Sequence, residues 1–163
     1  MPARLARVDV AGAGLARVCF CHGLSIMKHT HCAKEIVMGI AMKLGNYLKA
    51  SEVPFEVLNH SRSGNSMQSA IASNVPARCL AKAVVLEDRN HVVMAVLPAS
   101  RRLQLRELQA SDGPDLRLAT EAELGRLFND CEPGAVPPLG VVYGMETIWD
   151  DSLMEQPETY FEA

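Results

Sequence analysis

The sequence predicts a mixed α/β domain in which strands, hairpins and helices alternate along the chain. Two runs of β-branched and aliphatic residues flank a polar turn at residues 87–90, as expected for a β-hairpin. Segments with apolar residues at helical spacing lie on both sides of this hairpin. Short strand-like runs follow the last helix. This interleaving favours a mixed sheet over a purely parallel one.

Length and composition describe a single globular domain. The chain has 163 residues and is 48% hydrophobic, which is enough to bury a substantial core. No apolar run approaches the roughly 18 residues of a membrane span, and no segment resembles a signal peptide. Five cysteines at irregular spacing suit a reducing compartment better than a disulfide framework. We therefore expect a cytoplasmic protein with no membrane partner.

The net charge of −3 is divided unevenly along the chain. Residues 1–37 carry five basic and two acidic residues, whereas the remainder carries 11 basic and 17 acidic residues. Affinity for a phosphate backbone comes mainly from clustered Lys and Arg, so we expect no DNA binding and little contact with RNA. The one dense basic cluster of the acidic part is Arg101, Arg102 and Arg106. It is interpreted either as a solvated helix face or as an RNA contact.

Residues 1–37 show no sustained helical or strand period. We expect a disordered N-terminal extension, or an upstream start codon, before a domain that spans residues 38–163. Deletion of the extension is then expected to leave folding intact. The extension contains residue types that bind zinc, but their spacing does not match structural zinc sites, so no metal is expected. These residues are Cys19, Cys21, His22, His29, His31 and Cys32.

The elements before the hairpin follow from local patterns. Apolar residues at helical spacing predict an amphipathic helix from about residue 36 to 50. Alternation predicts a short strand over residues 55–58, and composition predicts a polar loop over 59–65. Ser66 is the predicted N-cap of a small-residue helix over residues 67–74.

The hairpin is predicted over residues 81–98, with both strands almost continuously apolar and therefore covered on both faces. Lys82 is the exception. By the two-residue period of a strand it shares a face with Val84 and Leu86. Burying a charge without a partner is costly. Lys82 therefore either reaches solvent from the end of the strand or lines a wet pocket in which a polar ligand completes its contacts.

Helices and strands alternate again after the hairpin. A helix is predicted through residues 103–108 and a short strand at 116–119. Thr120 and Glu123 form a capping box that opens a helix extending to Phe128.

The segment at residues 129–140 contains three prolines and two glycines, which predicts a rigid loop able to present backbone N–H groups to a ligand. Strands are predicted beyond it at residues 141–143, 145–149 and 159–161.

Four segments together resemble the YbaK/EbsC family and the editing insertion domain of bacterial prolyl-tRNA synthetases. They are the loop at residues 60–68, the strand 80–86, the strand end 96–99 and the loop segment 128–140. The resemblance extends from about residue 38 to the last residue. It implies a barrel-like mixed sheet with surrounding helices. It also implies hydrolysis of the ester bond of a mischarged tRNA, typically tRNA for proline carrying alanine or cysteine.

The same resemblance implies a site. Lys82 corresponds to the family lysine and is the implied catalytic residue. The implied substrate-binding residues are His60, Ser66, Gly134, Ala135, Val136 and Pro138, of which the last four belong to the G-x-x-x-P loop. The implied partners are the acceptor end of mischarged tRNA and prolyl-tRNA synthetase, and no cofactor is implied. Two rival functions stay open: a module that binds an aminoacyl or nucleotide group without turnover, and a protein that docks on a synthetase.

Overall fold

The computed structural model describes residues 5–6, 16–21, 40–51, 55–61, 63–89, 91–112, 115–132 and 134–162. The helices are α1 (Met42–Ala50), α2 (Ser66–Ala72), α3 (Leu105–Asp112), α4 (Glu121–Leu127) and α5 (Asp151–Met154), with a 3-10 turn at Gly140–Tyr143. The strands are β1 (Leu5–Ala6), β2 (Ala16–Cys21), β3 (Phe55–His60), β4 (Leu80–Glu87), β5 (Val92–Pro98), β6 (Arg117–Leu118), β7 (Glu146–Asp150) and β8 (Thr159–Glu162).

These strands form one mixed sheet of order β1-β7-β5-β4-β8-β2-β3, with β6 paired to β4. The predicted mixed α/β class is confirmed. The predicted barrel-like closure is wrong, because β1 and β3 lie at the two edges of the sheet and do not pair with each other in the described chain. No helix of the described residues combines the length and apolar character that crossing a membrane requires.

The hairpin of β4 and β5 forms the middle of the sheet, as predicted. The two strands pair antiparallel from Ala81 opposite Pro98 to Glu87 opposite Val92. β4 also pairs in parallel with β8, and β5 pairs in parallel with β7. Neighbouring strands on both sides explain why β5 is buried along almost its whole length.

The prediction that residues 1–37 contain no strand is wrong. The six residues of β2 pair in parallel with β3 on one side and with β8 on the other. Deletion of this segment would separate β3 from β8, so we no longer expect folding to be unaffected. Most of the zinc-type residues named above lie outside the described residues, and nothing is described of the side chains on β2. Among the described side chains, no group of three or more His, Cys, Asp or Glu residues is arranged to hold a metal ion.

Other boundaries differ from the predictions for local reasons. Helix α1 begins at Met42 rather than near residue 36, and residues 36–39 lie outside the described chain. The predicted N-cap Ser66 is wrong, because the Asn65 side chain caps α2 by accepting a hydrogen bond from the Gln68 N–H at 3.0 Å. Ser66 is instead the first residue of α2.

The strand predicted at residues 141–143 is also wrong. That segment forms the 3-10 turn, and the Met145 N–H donates to the Gly140 carbonyl at 2.9 Å. Gly144 follows the turn with φ of 69°, in the left-handed region that glycine adopts without a Cβ clash.

Alternation along β4 divides the core between two faces of the sheet. Ala81 and Val85 pack with α1 in one cluster, and we call this side the α1 face. Leu80 packs with Ala70 of α2, and Leu86 packs with Leu108 of α3, on the opposite side. We call that side the α2/α3 face. Lys82 lies between Leu80 and Val84 on the α2/α3 face by the same period.

The capping box at the start of α4 is confirmed. The Thr120 hydroxyl accepts from the Glu123 N–H, and the Glu123 carboxylate accepts from the Thr120 N–H at 2.7 Å. Thr120→Ala removes a cap, so we expect a loss of about 1 kcal/mol in the free energy of unfolding, measured by denaturant titration. Thr120→Ser keeps the hydroxyl and is expected to lose much less. Equal losses in the two variants would contradict a capping role.

Candidate active site

Lys82 lies on β4 opposite Leu97 and is partly exposed. Its Nζ donates a hydrogen bond to the Arg101 carbonyl at 2.5 Å. Burial lowers the pKa of Lys82, and the nearby positive charge of Arg102 lowers it further. The ammonium is therefore held at a defined place by one of its three donors, and the other two can be directed toward a ligand.

Arg101 is fixed by an ion pair. Its Nη1 lies 3.1 and 2.9 Å from the two carboxylate oxygens of Asp150, which caps α5. The Asp150 carboxylate also accepts from the Ser152 N–H at 3.0 Å and the Ser152 hydroxyl at 2.6 Å. Burial raises the pKa of Asp150, but the Ser152 hydrogen bonds and the Arg101 charge outweigh it and leave the pKa below its ordinary value. A chain of contacts from α5 through Asp150 and Arg101 thus holds the Lys82 ammonium.

This ion pair was not predicted. In the sequence, Arg101 forms one basic cluster with Arg102 and Arg106. In the structure Arg101 is engaged by Asp150, and all three side chains are exposed. Asp150 follows the apolar residues of β7 and precedes a second acidic residue, and that arrangement alone gives no sign of its partner.

A second polar group lies on the α2/α3 face, where α2 packs over β8. Ser69 of α2 is fully buried, and its hydroxyl contacts the Glu162 carboxylate. The same hydroxyl lies 2.5 Å from the Ser63 hydroxyl and 3.1 Å from the Asn65 carbonyl. Buried hydroxyls need hydrogen-bond partners, and here they fix the position of a carboxylate at the end of β8.

The two predicted binding residues near α2, His60 and Ser66, differ in burial. His60 ends β3, is 5% exposed, and its Nδ1 lies 2.8 Å from the Ser61 carbonyl. Ser66 is partly buried at the first position of α2.

The loop that contains Gly134 is exposed at Gly134 and buried at the prolines that follow. Gly134 is exposed, has φ of +88°, and a Cβ built on it meets nothing within 4 Å. The Ala135 N–H donates to the Glu132 carbonyl at 3.0 Å and closes the turn. Pro137 and Pro138 are among the fully buried side chains. The loop can therefore offer a ligand its exposed backbone at Gly134, but not the Pro138 side chain.

Aromatic and thiol contacts fix the segments that flank the loop. The rings of Phe128 and Tyr143 are in contact in a tilted arrangement, with centroids 4.6 Å apart and an interplanar angle of 59°. The Lys43 ammonium lies 5.2 Å from the centroid of the Tyr143 ring. The Cys131 Sγ lies 3.1 Å from the Tyr143 hydroxyl. Burial raises the pKa of both Cys131 and Tyr143, so both groups are neutral near pH 7. The Cys131–Tyr143 contact joins the loop to the 3-10 turn, and the Lys43–Tyr143 contact joins that turn to α1.

The implied site residues do not all share one face. Val136 packs with the cluster of the α1 face, whereas Lys82 and the Ser69–Glu162 contact belong to the α2/α3 face. The structure thus brings Lys82 together with Arg101, Asp150 and the end of β8, which sequence reasoning missed.

A family model for the aminoacyl-tRNA editing domain matches residues 64–163. The chain belongs to the aminoacyl-tRNA editing domain family. This confirms the resemblance found in the sequence, and the matched range contains Lys82, the Gly134 loop and Glu162. Family membership supports a deacylase-type function and a tRNA partner, since the family acts on mischarged tRNA.

Solved structures show the same fold. One is a candidate trans-editing enzyme for prolyl tRNA synthetase, with a TM-score of 0.58, 21% identity, and coverage of 75% of this chain and 78% of the other. Another comes from the computational grafting of epitope backbones onto scaffold proteins, with a TM-score of 0.62, 17% identity, and coverage of 75% and 79%. No curated protein matches the editing domain described here.

Proposed function

We propose that this editing domain hydrolyses the ester bond of a mischarged tRNA, and that its substrate is tRNA for proline carrying a small wrong amino acid such as alanine or cysteine. The observation that carries the proposal is the Lys82 ammonium, held against the Arg101 carbonyl on an otherwise apolar strand. A positioned ammonium can stabilise the negative charge that develops on the carbonyl oxygen during ester hydrolysis.

The reaction needs a nucleophile and a place for that charge. A water oxygen attacks the ester carbonyl carbon and forms a tetrahedral oxyanion, and the neighbouring ribose hydroxyl can orient this water. The carbon–oxygen bond to the ribose then breaks, a proton from the attacking water passes to the ribose oxygen, and the free amino acid and the tRNA are released. Lys82 stabilises the oxyanion or a phosphate of the acceptor end, and the exposed backbone at Gly134 receives the terminal adenosine.

Editing explains why such a site is useful. One methylene in a binding pocket gives a synthetase only about 10- to 200-fold discrimination, so a second pocket removes the smaller amino acids that the first admits. Association with prolyl-tRNA synthetase belongs to the same proposal, because the acidic domain has little basic surface with which to bind tRNA alone.

A deacylation panel tests the proposal. The full chain is mixed with tRNA for proline carrying alanine, cysteine or proline, with and without the synthetase, and the remaining ester is measured over time. We expect loss of the alanyl or cysteinyl ester and retention of the prolyl ester. Binding without turnover would instead support the aminoacyl-binding module, and binding to the synthetase alone would support the docking protein.

Asp150 is predicted to act on the reaction through Arg101. Asp150→Asn removes the charge that fixes Arg101, so the carbonyl that holds Lys82 becomes mobile. We expect the deacylation rate to fall by about tenfold, the equivalent of one weakened charged contact of roughly 1.4 kcal/mol. Asp151→Asn changes the same charge at the neighbouring position and is expected to leave the rate within twofold. A similar loss in both variants would contradict a specific role for Asp150.

Arg102 and Arg106 are predicted to contact RNA. Because Arg101 is engaged by Asp150, the informative variant replaces only Arg102 and Arg106 by alanine. Each lost phosphate contact reduces the salt dependence of binding, so we expect weaker tRNA binding and a salt slope smaller by about one to two. Replacement of Arg126, an exposed arginine in the last turn of α4, is the matched control. Unchanged tRNA affinity at low salt would show that Arg102 and Arg106 are solvated surface residues that do not contact RNA.

A further inference from the structure

A carboxylate lies beside Lys82 on the neighbouring strand. β4 and β8 pair in parallel with Leu80 opposite Tyr160 and Ala81 opposite Phe161. The next residues of these two strands are Lys82 and Glu162. Neighbouring strands lie about 4.8 Å apart and their side chains alternate between faces. Lys82 and Glu162 therefore leave the same face of the sheet at adjacent positions.

These opposite charges are held apart by other partners. The Lys82 ammonium donates to the Arg101 carbonyl, and Oε1 of Glu162 is contacted by the Ser69 hydroxyl. Within the ranges that the structure describes, no ion pair joins Glu162 to Lys82, and Oε2 of Glu162 receives no hydrogen bond. Because Ser69 is fully buried on α2, the carboxylate cannot easily move toward Lys82. The face thus presents a fixed cation and a fixed anion that can both act on one ligand.

We propose that Glu162 binds the α-ammonium group of the aminoacyl ester while Lys82 faces the ester carbonyl. This inference rests on the proposed function. In an aminoacyl ester the ammonium and the carbonyl are attached to neighbouring carbon atoms, so an anion and a cation at adjacent strand positions match them. Hydrogen bonds between charged groups are stronger than neutral ones.

The contact would set the substrate class. An ester whose α-amino group is acylated carries no positive charge there and would leave the Glu162 carboxylate without a partner. Sites built to bind a charged or polar group discriminate strongly against analogues that lack it. The domain would therefore act on free aminoacyl esters and spare N-acylated ones, such as peptidyl esters.

The test compares binding of two non-hydrolysable analogues to the full chain. The first is alanine joined to 3′-amino-3′-deoxyadenosine through an amide, and the second is its N-acetyl form. We expect the wild type to bind the free amine about 10- to 100-fold more tightly. Glu162→Gln keeps the shape and the Ser69 contact but removes the charge, and we expect it to bind both forms equally. Glu155→Gln removes the same charge at an exposed position, and we expect this control variant to keep the wild-type preference for the free amine.

The outcomes separate this inference from the proposed function. Retention of the free-amine preference by Glu162→Gln, or absence of any preference in the wild type, would overturn the role of Glu162 even if deacylation is observed. Ser69→Ala keeps the carboxylate but frees it, and a partial loss of preference would support the contact if Glu162→Gln fails to fold. Failure of wild-type deacylation with the preference intact would leave a free-aminoacyl binding site and overturn the proposed reaction alone.

Discussion

Lys82→Ala is expected to lower the deacylation rate by about two orders of magnitude. A positioned cation that stabilises an ester oxyanion or a phosphate contributes about 3 kcal/mol to the reaction barrier. Stability is expected to hold or rise, because burial disfavours the charged form of Lys82, as its lowered pKa shows. The measurement is the deacylation rate at subsaturating mischarged tRNA, with circular dichroism as the folding control. A rate near that of the wild type would show that Lys82 is only a strand-end lysine that reaches solvent. It would then favour the module that binds an aminoacyl or nucleotide group without turnover.

Two controls sharpen this prediction. Lys82→Arg is expected to rescue poorly, because a planar guanidinium does not replace a compact ammonium held by one carbonyl. The pH dependence has a definite sign, since the working form is the ammonium. The ratio of the wild-type rate to the alanine-variant rate should be largest below the pKa of Lys82 and fall as the pH rises through it. That fall should begin below the ordinary value of 10.5. A ratio that does not change with pH would contradict an ammonium mechanism.

The central hairpin could be predicted because its information is local. Two apolar runs with a turn between them determine β4, β5 and their pairing, and a capping box determines the start of α4. The position of Lys82 on its face followed from the same alternation. The hydrogen-bond partner of Lys82 could not be predicted, because the Arg101 carbonyl lies 19 residues away in sequence and is placed by the turn after β5.

Long-range pairing explains what the sequence did not reveal. β2 shows no local pattern because its partners are far along the chain. Ala16 pairs with Phe55 of β3 and with Thr159 of β8, and such contacts leave little trace in local composition. Closure of the sheet was expected from the resemblance alone, and pairing between edge strands cannot be inferred from periodicity. Glu162 lies just beyond the strand predicted at residues 159–161, and its place beside Lys82 could not be predicted because it depends on the parallel register of β4 and β8.

Gly134→Val is expected to abolish deacylation while the protein stays folded. Gly134 has φ of +88°, a conformation that a β-branched residue rarely adopts, so some loss of stability accompanies the change. A Cβ at this position meets no protein atom within 4 Å, so the side chain would project into the space through which a ligand approaches the backbone. Close approach of a ligand to a backbone is one of the functions that glycine alone permits.

Side-chain size separates blocked binding from backbone strain. Gly134→Ala carries the cost of a positive φ but adds only a methyl group, so we expect it to lose about 1 kcal/mol of stability and keep most of its activity. If a ligand contacts the loop, activity falls steeply from alanine to valine, by more than the additional loss of unfolding free energy in the β-branched valine variant accounts for. Parallel losses of activity and stability across the two variants would show that Gly134 serves only the turn. Denaturant titration and the deacylation rate, measured on the same preparations, decide between these outcomes.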